Sequence, residues 1–359
     1  MKRKIVALVV SVIFLTLAVM PPCGYAQVLP EGYTVVNGDV MVIIDGQTMN
    51  IKQASQQAIT EWVSFCIANG YTVNINQPGA SSFSLNRVTG GNPSQILGNL
   101  FSNGQVFLVN PNGVLFGPGS SVNAPGLVAS TLDISNDDFL GGKFIFSGKG
   151  SSVVSQGQIL SPGGYVALLG NRVENAGAIV SELGTVALGS GSKITLGLDA
   201  GSLISVVVNE AATASNDATD SVNNANAILN TGTISANGGT VILTAKALNG
   251  IFSNAINNQG IIEATDIDGK DGKVVLSASG SNANISSSGT ITGGDVTATT
   301  TGDLSVRKII GDSVDLSANT IQGLPIMMSE KNPSANIIAD TLKLSAANGI
   351  GLNTSKGLL

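Results

Sequence analysis

Gly157-Gln158-Ile159-Leu160-Ser161-Pro162-Gly163-Gly164-Tyr165-Val166-Ala167-Leu168 is the stretch on which the fold turns. Twenty residues later it returns as Gly177-Ala178-Ile179 followed by Gly184-Thr185-Val186-Ala187-Leu188. Further copies are Gly232-Thr233-Ile234 with Gly238-Gly239-Thr240-Val241-Ile242-Leu243, and Gly260-Ile261-Ile262 with Gly272-Lys273-Val274-Val275-Leu276. A looser copy is Gly289-Thr290-Ile291 with Gly293-Gly294-Asp295-Val296. The shared unit is Gly-x-Ile, a polar turn, then Gly-x-Val-x-Leu. Alternate residues of a strand point to one side, so Val166 and Leu168 share a face. No single unit can bury that face alone, whereas stacked units bury it as a continuous column. A propeller would need longer antiparallel blades with aromatic signatures. Asparagines recur at the corners (Asn171, Asn175, Asn230, Asn237, Asn257, Asn258), where stacked amides can bond from one coil to the next. The expected fold is all-β, a right-handed parallel β-helix. At roughly 20–25 residues per coil and a rise of about 4.8 Å, the rod would be about 65–75 Å long.

Composition agrees. Of 359 residues only 11% are charged and 4% aromatic, yet 43% are hydrophobic and 45 are glycine, so the core must be aliphatic and the strands short. The first 26 residues are read as a signal peptide: Lys2, Arg3 and Lys4, then the apolar run Ile5–Met20, then Gly24-Tyr25-Ala26 before a cut at Gln27. Removing those three cations leaves 14 Lys and Arg against 23 Asp and Glu, a net charge of −9. That balance argues against nucleic acid or anionic lipid as partner. Of the two cysteines, Cys23 would leave with the signal peptide. Cys66 would then stand alone, with no internal disulfide.

Organisation follows from pattern shifts. Tyr33–Ile44 reads as strand, an Asn37-Gly38 turn, and strand, with a second turn at Asp45-Gly46: a small antiparallel cap at the amino end. Gln53–Phe65 has roughly helical spacing (Ala54, Ala58, Ile59, Trp62), compatible with one short helical turn; Trp62 reads as a core or cap anchor. Residues 27–209 form the front of the β-helix, 210–230 a polar excursion, and 231–359 plainer shaft repeats. The chain stops at Leu359 in repeat-like sequence, which is read as a truncated or minimal chain.

The most specific segment runs from Phe83-Ser84-Leu85-Asn86-Arg87-Val88 through Gly90-Gly91-Asn92-Pro93-Ser94 to Val106-Phe107-Leu108-Val109-Asn110-Pro111-Asn112-Gly113-Val114-Leu115-Phe116. Asn-Pro-Asn-Gly is a turn code. Pro111 presets φ, Asn112 tolerates bridge or left-handed geometry, Gly113 permits positive φ, and the Asn110 side chain can close the turn on a backbone N–H. Flanked by apolar strands and preceded by Glu61-Trp62-Val63-Ser64-Phe65, the segment resembles the haemagglutination-activity, or two-partner-secretion, domain of filamentous-haemagglutinin-type exoproteins. The resemblance covers roughly residues 30–200. It implies Sec export to the periplasm and passage through an outer-membrane β-barrel transporter that recognises this domain. It also implies a secreted or cell-surface protein of a Gram-negative-type bacterium, adhesin-like, with host or neighbouring-cell glycans or proteins as targets. Asn110, Pro111, Asn112 and Gly113 match the family's secretion motif. A second family turn, Asn-Pro-Asn-Leu, has only Asn92-Pro93-Ser94 as counterpart.

Catalytic chemistry is sparse. The chain has no histidine, which excludes Ser-His-Asp and Cys-His catalysis and His-bearing zinc sites. It has no phosphate-binding glycine loop. Some β-helices process polysaccharides with clustered carboxylates; the acids here are scattered, and the adjacent Asp137 and Asp138 are expected in a loop. No cofactor is expected, and the chain is read as a non-enzyme. Asp266, Asp268 and Asp271 with Gly269 and Gly272 resemble part of a calcium loop, but their spacing fits neither an EF-hand nor a Gly-Gly-x-Gly-x-Asp repeat, and a solvated turn is expected.

Overall fold

The computed structural model describes residues 28–199, 202–212, 226–248, 251–267, 269–281, 283–324 and 336–352. The signal-peptide reading and the tail beyond Leu352 lie outside them. Among the described residues twenty-seven strands join into one sheet that winds as a parallel β-helix with three faces per coil. One coil runs Asn99–Ser102 (second face), Gln105–Val109 (third face), Val114–Phe116 (first face), and the next runs Ser121–Asn123, Gly126–Ser130, Ser152–Ser155; each strand pairs in parallel with its counterpart. The repeated unit stacks as its pattern predicts. Ile159, Ile179, Ile234, Ile262 and Ile291 are register partners in successive coils. So are Val166, Val186, Val241, Val274 and Val296. All of these side chains are buried in the lumen, each contributing about 1.5–3 kcal/mol by leaving water.

The glycine of the unit has a steric cause. A Cβ on Gly177 would lie 2.2 Å from the Gly157 carbonyl oxygen, and one on Gly232 would lie 2.1 Å from that of Gly177. Gly260 over Gly232 and Gly289 over Gly260 repeat the approach at 2.0 Å. No carbon fits there, so the corner closes only without a side chain. Beside this column runs an amide ladder. Asn175 Nδ2 donates to Asn230 Oδ1 at 2.8 Å, Asn230 Nδ2 to Asn258 Oδ1 at 2.8 Å, and Asn258 Nδ2 to Ser287 Oγ at 3.1 Å. All three asparagines are fully buried, so breaking a rung would strand amide groups at a cost of about 1–3 kcal/mol. Asn171 donates instead to the Gly150 carbonyl, and Asn237 Oδ1 accepts from Thr265. Asn257, next to Asn258 in its strand, points the other way and is half-buried.

A second, four-stranded antiparallel sheet covers the outside of the third face. Its strands are Asp133–Ile134, Phe144–Ser147, Lys193–Asp199 and Ser202–Glu210. They come from two insertions that leave the stack at the same corner, after Gly126–Ser130 and after Thr185–Ser190. Phe139, Phe144 and Phe146 from the first insertion pack on Phe107 of the stack, with ring centroids 5.4, 5.3 and 6.4 Å away. Sequence reading did not see this wrap. It also placed Asp137 and Asp138 in a loop, whereas they occupy the first turn of a short helix, Asn136–Leu140. Ser135 caps that helix by accepting the Asp138 N–H at 3.1 Å, and acids in the first turn suit the helix dipole.

At the amino end lie β1 (Thr34–Asn37), β2 (Val40–Asp45), β3 (Thr48–Gln53) and β4 (Gln57–Trp62). The antiparallel cap is present with different pairing. β2 and β3 form the hairpin around Gly46-Gln47, but β1 pairs with β4 and not with β2 across Asn37-Gly38. The helical turn expected within Gln53–Phe65 is a strand. Trp62 points into the lumen and Ile59 out against the wrap, a two-residue alternation, and β4 is paired on both sides, with β1 and with Phe83–Val88. Two ladders outweigh the weak propensity of a few helical residues. The polar excursion is shorter than 210–230, since strands reach Glu210 and restart at Asn226; residues 213–225 lie outside the described part.

Candidate functional site

Asn110–Gly113 connects the third-face strand Gln105–Val109 to the first-face strand Val114–Phe116. It occupies the corner at which, one coil later, the first insertion leaves the stack. Gly113 N–H donates to the Asn110 carbonyl at 3.1 Å, closing a β-turn with Pro111 and Asn112 at its exposed tip. Gly113 has φ 128°, open to glycine without strain. Asn110 is fully buried and every polar group of its side chain is used. Its Oδ1 accepts from the Asn112 N–H at 3.0 Å, as the turn code anticipates, and Nδ2 donates to the Asn92 carbonyl and to Ser94 Oγ, each at 3.0 Å. Asn112 Nδ2 reaches down to the Gly90 carbonyl at 2.9 Å.

These bonds bring the two Asn-Pro turns together. Val114 pairs with Ser94, so Asn92-Pro93 lies one coil below Asn112-Gly113 at the same corner. Pro93 is buried and Asn92 exposed. The coil above closes the site from the other side: Asn110 N–H donates to Ser130 O, and Ser151 N–H donates to Pro111 O, each at 2.9 Å. The tetrad thus fastens three coils, and only Pro111, Asn112 and Asn92 present surface.

Arg87, absent from the sequence-derived site, anchors the wrap nearby. Its side chain is 12% exposed. Nε donates to Asp133 Oδ1 at 2.9 Å, Nη1 to Asn136 Oδ1 at 2.7 Å and Glu61 Oε1 at 3.4 Å, and Nη2 to the Ile134 carbonyl. One guanidinium therefore joins two stack strands to the insertion. Only its lone positive charge within Phe83–Val88 could have drawn notice. A second tie is Tyr165, whose hydroxyl donates to Gln105 Oε1 at 2.6 Å, two coils below. Complete burial raises the Tyr165 pKa far above the ordinary phenol value.

Cys66 is buried and disulfide-bonded in the full chain, whereas the lone-thiol reading concerns the chain cut before Gln27. The other cysteine of the chain, Cys23, lies outside the described residues. Of the calcium candidates, Asp268 lies outside the described residues, and Asp266 Oδ1 accepts the Gly272 N–H at 2.8 Å, closing its own loop. Among the described residues no three acids, histidines or cysteines converge to hold a metal.

Comparison with known proteins agrees with this architecture. The TPS secretion domain family matches residues 26–293. Two heme/hemopexin-binding proteins of Haemophilus influenzae are similar in sequence, one 37% identical over 280 residues (75% of this chain, 29% of the relative) and one 32% identical over 339 residues (87% of this chain, 34% of the relative). The chain therefore spans about a third of the length of these relatives. The solved secretion domain of HMW1 from H. influenzae superposes with a TM-score of 0.63 at 29% identity, over 91% of this chain and 84% of that one. The filamentous hemagglutinin secretion domain, at 16% identity and a TM-score of 0.52 over 89% of this chain and 99% of that one, shares the fold. With the stacked Asn-Pro corners, the wrapped parallel coils and a match over most of its length, the chain belongs to the TPS secretion domain family.

Proposed function

We propose that this chain is the exported amino-terminal part of a surface exoprotein, carried by Sec to the periplasm and then through an outer-membrane β-barrel transporter, and that it starts the folding of the rod outside the cell. The carrying observation is the corner where Asn110 bonds to Asn92 and Ser94 below while its own N–H bonds to Ser130 above. Three coils gain their register at one buried residue, and the exposed Pro111 and Asn112 leave a small surface for the transporter to read. The family is one of secretion domains and not of enzymes, and we assign the chain no catalytic step. The aliphatic stack suits a rod that presents downstream binding sites, which supports an adhesin-type role towards host or neighbouring-cell surfaces.

Co-expression with an outer-membrane transporter of the two-partner-secretion type tests this. Wild-type chain should reach the medium only when the transporter is present. Asn110→Ala should cut release by about tenfold, since it removes a buried multi-bonded amide, and Asn112→Ala should cut it less. Release without the transporter, or unchanged release of Asn110→Ala, would contradict the reading.

A further inference from the structure

Strand β2 has a partner on one side only: among the described residues it pairs with β3 and nothing else. The two-residue connection makes Asp45 and Thr48 a mutually hydrogen-bonded pair, and the Ala54 N–H donates to the Asp39 carbonyl at 2.9 Å at the far end. By the alternation of antiparallel ladders, Asp39, Met41, Ile43 and Asp45 use their backbone groups on β3. The N–H and C=O of Val40, Val42 and Ile44 then face the open edge. Sheet edges are normally guarded by Lys, Pro, a bulge or a covering segment. This one reads Val40-Met41-Val42-Ile43-Ile44, with Met41 53% and Ile44 59% exposed, and its register with β3 has no bulge.

Among the described residues nothing covers that edge, since Val28 and Glu31 bond to Ala68 and Ser64 instead. An open edge of free donors and acceptors with apolar side chains accepts one kind of group, another extended apolar strand. We propose that this strand is supplied by the outer-membrane transporter, adding to β2 as a third strand; the assignment rests on the export reading above. The choice of the transporter over a second copy of the chain follows from when the edge exists. Within the stack, β2–β3 is the pair closed by a two-residue connection, whereas the parallel strands must wait for a whole coil. A local hairpin forms in microseconds, so a chain still unstacked enough to thread a barrel can already display it. An isolated hairpin is marginal alone and gains stability from a third strand, which the transporter would provide before β3 meets its later parallel partner, Thr72–Asn76.

The test uses the full chain co-expressed with its transporter, with a photo-crosslinking amino acid at Ile43 or, as control, at the exposed Val207 of the outer sheet. The expected result is an adduct of chain plus transporter from Ile43 and none from Val207. Met41→Lys with Ile43→Lys, which changes exposed side chains only, should lower secretion by about tenfold while the purified chain keeps its melting temperature. Val42→Pro, which removes an edge N–H and no β2–β3 bond, should also lower secretion, with some loss of melting temperature because Val42 packs on the lumen core. Adducts of Ile43 with a second copy only, no adduct at all, or normal secretion of the double lysine variant would overturn the proposal and leave the export reading standing. Transporter-independent secretion of the wild type would overturn both.

Discussion

The front of the molecule and its shaft are built from the same coil but held by different means. From about Phe83 to Ser190 the third face is buried on both sides, by the lumen within and by the antiparallel wrap without. Beyond Ala247 the coils lie clear of the wrap and rely on the lumen, the glycine corners and the end of the Asn ladder. The shaft is held by repetition, so each coil depends on its neighbours. The front is held by contacts between residues far apart in sequence, such as Arg87 with Asp133 and Phe107 with Phe144. Repetition makes a rod that can be lengthened; the wrapped front gives it a place to begin. The Asn-Pro corner lies in the wrapped half, where a register error would be copied into every later coil.

The largest expected effect comes from undoing the wrap. Phe107→Ala removes a fully buried ring that touches Phe83, Phe139, Phe144 and Phe146, and should cost about 3–5 kcal/mol. Chemical denaturation should then show the front losing its stability margin over the shaft. A cost near that of a surface substitution would mean that the wrap is not what separates the regions.

Gly232→Ala attacks the seam between them, because its Cβ would press on the Gly177 carbonyl at 2.1 Å. The expected loss is roughly 3 kcal/mol, with the shaft uncoupled from the front and a single unfolding transition split into two. A single unshifted transition would show that the corner can spread without cost.

Legibility followed the same division. The shaft was readable because its Gly-Ile and Gly-Val-Leu spacing states directly which residues stack, and the Asn175, Asn230 and Asn258 ladder followed from corner positions alone. The Asn110–Gly113 turn was readable from its dihedral preferences. The wrap was not: Phe144–Ser147 pairs with Lys193–Leu196, and Phe139, Phe144 and Phe146 pack on Phe107, across long separations that no local period reports. The same limit explains Gln57–Trp62, where apolar spacing fits a helical turn until two neighbouring strands claim it. It explains Arg87 too, whose partners come from two separate segments. The Asn37-Gly38 hairpin failed because β1 found a distant partner in β4 in preference to its neighbour β2.

A smaller effect should appear at high pH and only in the front. Tyr165 is held neutral by burial, with its pKa raised, while the unfolded chain ionises near the ordinary value of about 10. Stability is therefore insensitive to this group below about pH 10. Above it the unfolded state binds fewer protons, and stability falls by up to about 1.4 kcal/mol per pH unit. Tyr165→Phe should lose the bond to Gln105, about 1 kcal/mol at neutral pH, and should remove this part of the alkaline slope. An unchanged slope in that variant would place the sensitivity elsewhere.

Native-state hydrogen exchange on the purified chain compares the two regions most directly. If the wrapped front is where the rod begins, amides of Gln105–Val109 and Gly126–Ser130 should exchange at least about tenfold more slowly than those of Lys273–Gly280 in the shaft. Equal protection along the stack, or slower exchange in the shaft, would contradict the account.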